Sequence, residues 1–265
     1  MTKILAENLH YLRPWIVDDL VRHGNAKDGG YVLPSSIVAG LDAIVSFGLS
    51  TDWSLEQDLF AANDALTIHV YDHSVGTASF RRALKNAVVK FAVGKIPLAQ
   101  LRSRYRTYSD YRRFFAGDRI HFRERIFNRR DNANDATIDA VFRRVGTARH
   151  IFLKMDIEGG EYRVIPQLLE QGERIDLMVV EFHDTDPLRP VFECQVKAIL
   201  EQFNIIHIHG NNIAGVAVDG LPDCVEITFL NKRFPTTGRL RDALPIAGLD
   251  RPNDPDKPDL LLRFG

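Results

Sequence analysis

Short apolar runs alternate with helix-like segments through most of this 265-residue sequence. The runs predict buried parallel strands and span 43–47, 67–71, 151–155 and 177–180, with a more polar run at 119–127. The segments between them show helical spacing and span 54–62, 137–145, 162–171 and 190–203. This alternation predicts a mainly parallel sheet with helices on both faces. The last two predicted strands, 204–208 and 224–230, are joined without a helix, so we expect them to pair antiparallel at an edge.

The composition is that of a globular protein. Apolar residues make up 45% of the chain and charged residues 26%, which excludes a disordered or fibrous polymer. No uncharged apolar run approaches the roughly 20 residues that cross a bilayer, and residues 1–10 lack the pattern of a secretory leader. Cys194 and Cys224 are too few for a disulfide framework. We therefore expect a cytoplasmic protein without a transmembrane segment.

The chain divides into three predicted parts. Residues 1–40 form an N-terminal cap that begins with a helix over 5–23. Residues 41–232 form the main domain, and residues 76–118 are a basic, largely helical insertion within it. Residues 233–265 hold five of the twelve prolines, which predicts a tail that wraps the domain or is partly disordered.

The insertion carries most of the charge asymmetry. Between residues 76 and 118 there are ten basic residues and only Asp110 and Asp118 against them, a local charge of 10 − 2 = +8, whereas the whole chain has a net charge of −1. This excess predicts an anionic acceptor or contact with anionic lipid. The alternative is a solvated amphipathic lid over a pocket. Nucleic acid is not an expected partner, because the stretch contains no recognisable binding module.

Two residues that follow the first two strands of the sheet predict a nucleoside-type ligand. Ligands of parallel sheets bind beyond the carboxyl ends of the strands. Gly48 follows the first strand and allows a close approach to the backbone. Asp72 follows the second strand, where its carboxylate could accept both hydroxyls of a ribose or cap the next helix. A complete dinucleotide fingerprint is absent.

Acidic residues and a histidine follow the next two strands. Asp156 ends one strand, and Glu158 and Glu161 lie just beyond it at a predicted helix start. Glu181 and His183 end the other strand. A histidine beside carboxylates is a candidate general base. Alternatively, Asp156, Glu181 and His183 converge on a divalent cation such as Mg²⁺.

A third polar group follows the sixth strand. His209 is followed by Asn211 and Asn212, and these side chains are candidates for binding a polar substrate. A turn built by glycine and asparagine is the alternative explanation.

The sequence resembles the FkbM-type family of S-adenosylmethionine-dependent methyltransferases. The segment 153–161, LKMDIEGGE, matches that family's K-x-D-x-E-G-x-E pattern. The preceding Thr137-Ile138-Asp139 is similar to its usual helix start. A related branch of methyltransferase-like proteins shares further motifs, at 28–32, 46–48, 52–56, 209–212 and 226–229. The resemblance covers about residues 25–232.

The resemblance implies a seven-stranded, Rossmann-like class I methyltransferase fold whose last strand is antiparallel. It implies that S-adenosylmethionine binds over Gly48, with Asp72 on the ribose and Glu124 near the adenine. Asp52 and Asp156 complete the expected donor-binding set. Many relatives methylate hydroxyl groups of sugars or natural products, so a small-molecule or glycan acceptor is expected.

For such a reaction, Asp156 or His183 is the predicted base, with a metal as an optional aid, and His209, Asn211 and Asn212 orient the acceptor. Two other function classes remain open. One is a metal-dependent hydrolase that uses Asp156, Glu181 and His183 together with Glu158. The other is a catalytically silent binding protein with a methyltransferase fold.

Overall fold

A computed structural model describes residues 3–264 of the chain. The strands, numbered in chain order, are β1 (Lys3–Leu5), β2 (Leu20–Gly24), β3 (Gly30–Pro34), β4 (Ala43–Phe47), β5 (Thr67–Tyr71), β6 (Arg119–Phe122), β7 (Arg125–Ile126), β8 (Asp135–Ala136), β9 (Ile151–Met155), β10 (Ile175–Phe182), β11 (Phe203–Gly210), β12 (Val225–Asn231), β13 (Ala243–Leu244) and β14 (Leu262–Phe264). The helices are α1 (Ser35–Ala39), α2 (Ser54–Ala62), α3 (Thr77–Ala92), α4 (Leu98–Phe114), α5 (Ile138–Val145), α6 (Glu161–Leu169) and α7 (Arg189–Gln202).

The centre of the fold is a seven-stranded sheet in the order β11-β12-β10-β9-β4-β5-β6. Strand β12 runs antiparallel to β10 and β11, and the pairs β10–β9, β9–β4, β4–β5 and β5–β6 are parallel. This arrangement confirms the predicted Rossmann-like α/β architecture, including the antiparallel last strand. The predicted strand over 119–127 is split into β6 and the short β7, which pairs with β8 instead.

Alternate residues of the central strands enter two separate cores. In β4, Ala43, Val45 and Phe47 pack with α5, α6 and α7 on one face, whereas Ile44 packs with α1, α2 and the α3–α4 pair on the other. Because both faces are covered, such strands are apolar at nearly every position. The strand β9 follows the same pattern, except that Lys154 replaces an apolar residue on the second face.

The predicted helix over 5–23 is wrong. The segment instead contains β1, a 3₁₀ helix over Glu7–Leu12, and β2, which forms an antiparallel hairpin with β3. Pro14 lacks a backbone N–H and cannot continue the helix. The hairpin turn at 25–29 is flanked by Gly24 and ends with Gly29, whose φ angles are 89° and 84°, a region that favours glycine.

The proline-rich tail, described through residue 264, wraps the domain. Strand β14 pairs with both β13 and β1, so the two ends of the chain meet in a small sheet. Between β13 and β14 the chain runs beside the end of β11, where Asn212 hydrogen-bonds to backbone atoms of Asp254.

The basic insertion is helical, as predicted, and consists of α3 and α4 packed against each other. Their connection, residues 93–97, contains Gly94 and Pro97. The pair is fixed to α2 at its base, where Asp110 accepts hydrogen bonds from Trp53 Nε1 at 3.0 Å and Gln57 Nε2 at 2.9 Å. No helix within residues 3–264 combines the length and apolar character needed to cross a membrane.

Candidate functional site

A cleft of about 380 Å³ opens beyond the carboxyl ends of the central strands. It is lined by residues that follow four different strands: Gly48, Asp72, Glu124 and Asp156. These are four of the five residues predicted to bind the methyl donor. The volume falls in the range of small-molecule and cofactor sites. We call this cavity the first cleft.

Glycine is required at position 48 because the backbone there lies close to the segment that follows β9. Its φ angle is 86°, and a Cβ atom at this position would lie 1.8 Å from the carbonyl oxygen of Asp156. No other residue fits without moving the backbone of either loop. The Gly48 N–H donates to the carbonyl oxygen of Tyr71 at 3.0 Å, which continues the pairing of β4 and β5 into the cleft.

Asp72 fixes the loop that follows β4. Its Oδ2 accepts hydrogen bonds from the backbone N–H groups of Leu49 and Ser50, both at 2.9 Å. Its Oδ1 accepts from the backbone N–H and the hydroxyl of Ser74, at 2.7 and 2.6 Å. Burial raises the pKa of Asp72, but these hydrogen bonds outweigh burial and lower it. Four donors fill the acceptor sites of one carboxylate, so contact with a ribose stays a prediction that requires one donor to be displaced.

Glu124 lines the first cleft and forms an ion pair with Arg144, whose Nη2 donates to its Oε1 at 3.0 Å. The Arg144 guanidinium lies over the ring of Phe122 at 4.6 Å, and that ring stacks on Tyr71 at 4.9 Å. The contact of Glu124 with an adenine stays a prediction.

Lys154 is a site residue that the sequence interpretation did not single out. Its side chain is buried, and Nζ donates to the carbonyl oxygen of Gly48 at 3.0 Å and lies 3.4 Å from Asp156 Oδ2. Burial lowers the pKa of the ammonium group, but the charges of Asp156, Glu56 and Glu181 outweigh burial and raise it. The sequence feature that could have identified Lys154 is that it is the single basic residue in the otherwise apolar strand β9.

His183 lies among carboxylates, and its environment does not favour the predicted role of general base. Its Nδ1 is 3.2 Å from Glu161 Oε1, and its Nε2 is 3.5 Å from Glu158 and 3.9 Å from Glu181. Burial lowers the pKa of His183, but Glu161 and the other carboxylates outweigh burial and raise it to about 9. A raised pKa favours the protonated ring, which is a poor proton acceptor.

Glu161 is fully buried at the start of α6. Its Oε1 accepts hydrogen bonds from the backbone N–H groups of Ile157 at 3.0 Å and Gly159 at 3.3 Å. It therefore holds the loop after β9 as well as the imidazole of His183.

The predicted metal set does not form a single site. His183 lies with Asp156 and Glu158 in one group of possible ligand atoms, and with Glu181 and Cys224 in another. Glu181 Oε1 already accepts from Asn211 Nδ2 at 3.2 Å and from Cys224 Sγ at 3.0 Å. Mg²⁺ prefers oxygen ligands in octahedral geometry, and the second group offers an imidazole and a thiol beside one carboxylate. The predicted trio of Asp156, Glu181 and His183 is thus not brought together as one group, and the geometry gives the hydrolase alternative no support.

Two of the three residues predicted to orient the acceptor, His209 and Asn212, contact the C-terminal tail. His209 is buried, with Nε2 at 3.1 Å from Asp259 and Nδ1 at 3.6 Å from Glu226. Asn212 accepts from the Asp254 N–H at 2.7 Å. Asn211 binds Glu181 and the N–H of Ile213. The tail covers the end of β11 because these polar groups bind it, a long-range pairing that the sequence pattern does not reveal.

A second cleft of about 330 Å³ adjoins the first and shares Leu49, Ser50 and Asp156 with it. Asp52 lines this second cleft and not the first, and its role in donor binding stays a prediction. Its Oδ1 accepts from the N–H of Ser54 at 2.9 Å and its Oδ2 from Asn25 Nδ2 at 2.8 Å. The Asp52 carboxylate is therefore hydrogen-bonded both to the first turn of α2 and to the turn between β2 and β3.

The second cleft also contains polar atoms without a partner. Asn253, from the C-terminal tail, donates from Nδ2 to Asp28 Oδ1 at 3.0 Å and Glu226 Oε1 at 2.9 Å. Its Oδ1 and the Ser54 Oγ are buried and have no hydrogen-bond partner among the described residues. Buried polar atoms are rarely left unpaired, so these two atoms mark an unsatisfied polar region in the wall of the second cleft.

Comparison with known sequences matches this chain to a protein family. The sequence profile of the methyltransferase FkbM domain matches residues 67–211. No curated protein matches the chain.

Three of the similar solved structures are of low identity to this chain. A chain of the fibrillarin/Nop5p complex is 11% identical over 87% of this chain and all of that chain, with a TM-score of 0.35. A "predicted O-methyltransferase" from Agrobacterium tumefaciens is 11% identical over 75% of this chain and 80% of that chain, with a TM-score of 0.36. Precorrin-6y C5,15-methyltransferase from Geobacter metallireducens is 8% identical over 75% of this chain and 88% of that chain, with a TM-score of 0.31.

Proposed function

This chain belongs to the family of methyltransferases with an FkbM domain, and from that premise we propose that it transfers the methyl group of S-adenosylmethionine to a hydroxyl group of a small, polyhydroxylated acceptor such as a sugar. The observation that carries the proposal is the meeting of two clefts at Asp156. The first cleft holds the donor and the second holds the acceptor. The methyl group passes between them beside Leu49, Ser50 and Asp156.

The donor-binding assignment rests on the residues that line the first cleft. Gly48 leaves room for the donor against the β4 loop, Asp72 faces the ribose and Glu124 the adenine. The bound sulfonium supplies an activated methyl group, so the protein has only to align it with the acceptor and remove a proton.

Asp156 is the proposed base. Its carboxylate lines both clefts and is next to Lys154 Nζ, at 3.4 Å. As the hydroxyl oxygen bonds to the methyl carbon, the carbon–sulfur bond breaks and its electron pair stays on sulfur. The hydroxyl proton moves to the Asp156 carboxylate. His183 lies among Glu158, Glu161 and Glu181 and has no assigned part in this step.

The second cleft favours an uncharged acceptor over an anionic one. Its charged residues are the four acidic residues Asp28, Asp52, Glu56 and Asp156 and the two lysines Lys27 and Lys154, so carboxylates outnumber cations. None of the basic residues of the insertion lines it. Carboxylates and amides together bind the hydroxyl groups of a polyol through directional hydrogen bonds.

The proposal is tested by comparing Asp156→Asn with the wild type. Donor binding is measured by calorimetry with S-adenosylmethionine and S-adenosylhomocysteine. Transfer is measured by mass spectrometry on a panel of free sugars, glycosides and sugar nucleotides. We expect the variant to retain donor binding and to lose transfer by about 100-fold or more. Absence of donor binding in folded wild-type protein would refute the donor assignment, and full transfer by the variant would refute the base.

A further inference from the structure

The α3–α4 hairpin projects from the domain. Its buried side chains are concentrated near the base, where Phe80 of α3 and Tyr111 and Phe114 of α4 join the core. All residues from 88 to 100 are exposed except Ile96, which is half-buried. The 16 residues of α3 extend for about 24 Å. The connection between the helices therefore lies well away from the sheet.

This distal end of the hairpin, residues 88–98, carries an unusual number of exposed apolar side chains. Val89 is 63% exposed and Val93 61%, and the exposed fractions of Val88, Phe91 and Leu98 are 50%, 40% and 42%. Five such side chains within eleven residues form a cluster that the protein itself does not cover. Clusters of this kind mark interaction surfaces, whereas single exposed apolar residues do not.

The charge around this cluster is entirely positive. From residue 76 to residue 109 the chain has no Asp or Glu, and it has eight basic residues: Arg81, Arg82, Lys85, Lys90, Lys95, Arg102, Arg104 and Arg106. All eight are exposed, and none of them forms an ion pair within residues 3–264. The hairpin therefore presents uncompensated cations beside exposed aliphatic side chains.

We propose that the distal end of the α3–α4 hairpin docks on the surface of an anionic phospholipid bilayer. The aliphatic side chains enter the boundary between headgroups and acyl chains, and the lysines and arginines bind lipid phosphates. A nucleic acid would match the charge but would gain nothing from the exposed valines. A bilayer interface complements both features at once. This inference concerns the hairpin alone and does not depend on the proposed reaction.

The test is flotation of the full-length protein with vesicles of phosphatidylcholine alone and of phosphatidylcholine mixed with phosphatidylglycerol. We expect binding to the mixed vesicles only, weakening as salt is raised. The double variant Val89→Asp/Val93→Asp should lower the partition coefficient by about tenfold or more. Its matched control is Val218→Asp, because Val218 is fully exposed but lies outside the hairpin.

A second pair of proteins, a lysine double variant and its control, tests the contribution of charge separately from that of the apolar side chains. Lys90→Glu/Lys95→Glu should also reduce binding by about tenfold or more, while Lys232→Glu, at an exposed site elsewhere, should leave it unchanged. Thermal melting of every variant confirms that it is folded.

Binding that both double variants lose and both controls keep supports the proposal. No binding of the wild type to mixed vesicles would overturn it, as would binding that Val89→Asp/Val93→Asp leaves intact. Fluorescence anisotropy with a labelled single-stranded oligonucleotide tests nucleic acid as the alternative ligand. Tighter binding to the oligonucleotide than to vesicles, insensitive to the valine substitutions, would assign the surface to nucleic acid and overturn the proposal.

Discussion

The ammonium group of Lys154 donates a hydrogen bond to the carbonyl oxygen of Gly48 at 3.0 Å. This contact joins β9 to the loop after β4, and both elements border the two clefts. The same ammonium group lies beside Asp156, and the charges of Glu56 and Glu181 also act on it. One buried cation thus balances several carboxylates at the junction of the clefts.

Replacing Lys154 with methionine should strongly destabilise the protein. The substitution keeps most of the side-chain volume but leaves buried carboxylates without their cation, which costs about 3 kcal/mol or more. Urea unfolding gives the free energy directly, and Lys232→Met, at an exposed site, is the control. An unfolding free energy equal to that of the wild type would show that the carboxylates are neutral or compensated in another way.

Gly48→Ala should weaken donor binding. The added methyl group would lie 1.8 Å from the Asp156 carbonyl oxygen, so one of the two loops that form the first cleft must move. Gly248→Ala is a close control, because Gly248 has the same φ of 86° but no atom within 4 Å of the place that an added methyl group would take. Calorimetry with S-adenosylhomocysteine should show a loss of affinity of at least about tenfold for Gly48→Ala only. Equal effects of the two substitutions would point to backbone strain and not to the cleft.

Asn253→Ala should raise the KM for the acceptor and leave donor affinity unchanged. Asn253 lines the second cleft only, where its Oδ1 has no partner among residues 3–264 and its Nδ2 holds Asp28. We expect an increase in KM of about tenfold, the usual effect of one lost hydrogen bond to a bound polar ligand. Asn231→Ala is the control. Asn231 is buried and hydrogen-bonded to Gly172 and Ile175, and none of these three residues lines the second cleft. A weaker donor affinity in Asn253→Ala would mean that the two clefts are not separate sites.

The sequence was sufficient to predict the elements whose local pattern is unambiguous. The observed bounds of β4, β5, β9 and α2 are those expected, because buried strands and an amphipathic helix each leave a pattern within a few residues. The positions of Gly48 and Asp156 at the first cleft follow from the rule that ligands bind beyond the ends of parallel strands.

Contacts between distant segments could not be predicted in this way. The motif at 209–212 contains polar side chains typical of a binding site, and only the fold reveals that residues 254–259 of the tail occupy them. The N-terminal segment has apolar residues at helical spacing, yet β2 pairs with β3 because the hairpin turn supplies backbone hydrogen bonds that spacing does not encode. The charge state of His183 likewise depends on Glu161, which lies 22 residues away.

His209 should make stability depend on pH above neutrality. Burial lowers its pKa, but hydrogen bonds with Asp259 and Glu226 outweigh burial and raise the pKa to about 10. In the unfolded chain the pKa is about 6.5. The stabilisation is therefore complete below pH of about 6.5 and is lost as the pH rises towards 10, because the unfolded state has already released the proton that the folded state still binds. The slope for one proton is at most about 1.4 kcal/mol per pH unit.

The difference in unfolding free energy between the wild type and His209→Gln isolates this contribution. Urea titrations across this pH range should show a difference that is largest at the acidic end and shrinks as the pH rises. His183, whose pKa is also raised, is present in both proteins, so its contribution cancels in the difference. A difference that stays constant across the range would mean that His209 is neutral in the folded protein, and Asp259 and Glu226 would then hold the tail by hydrogen bonds that involve no imidazolium charge.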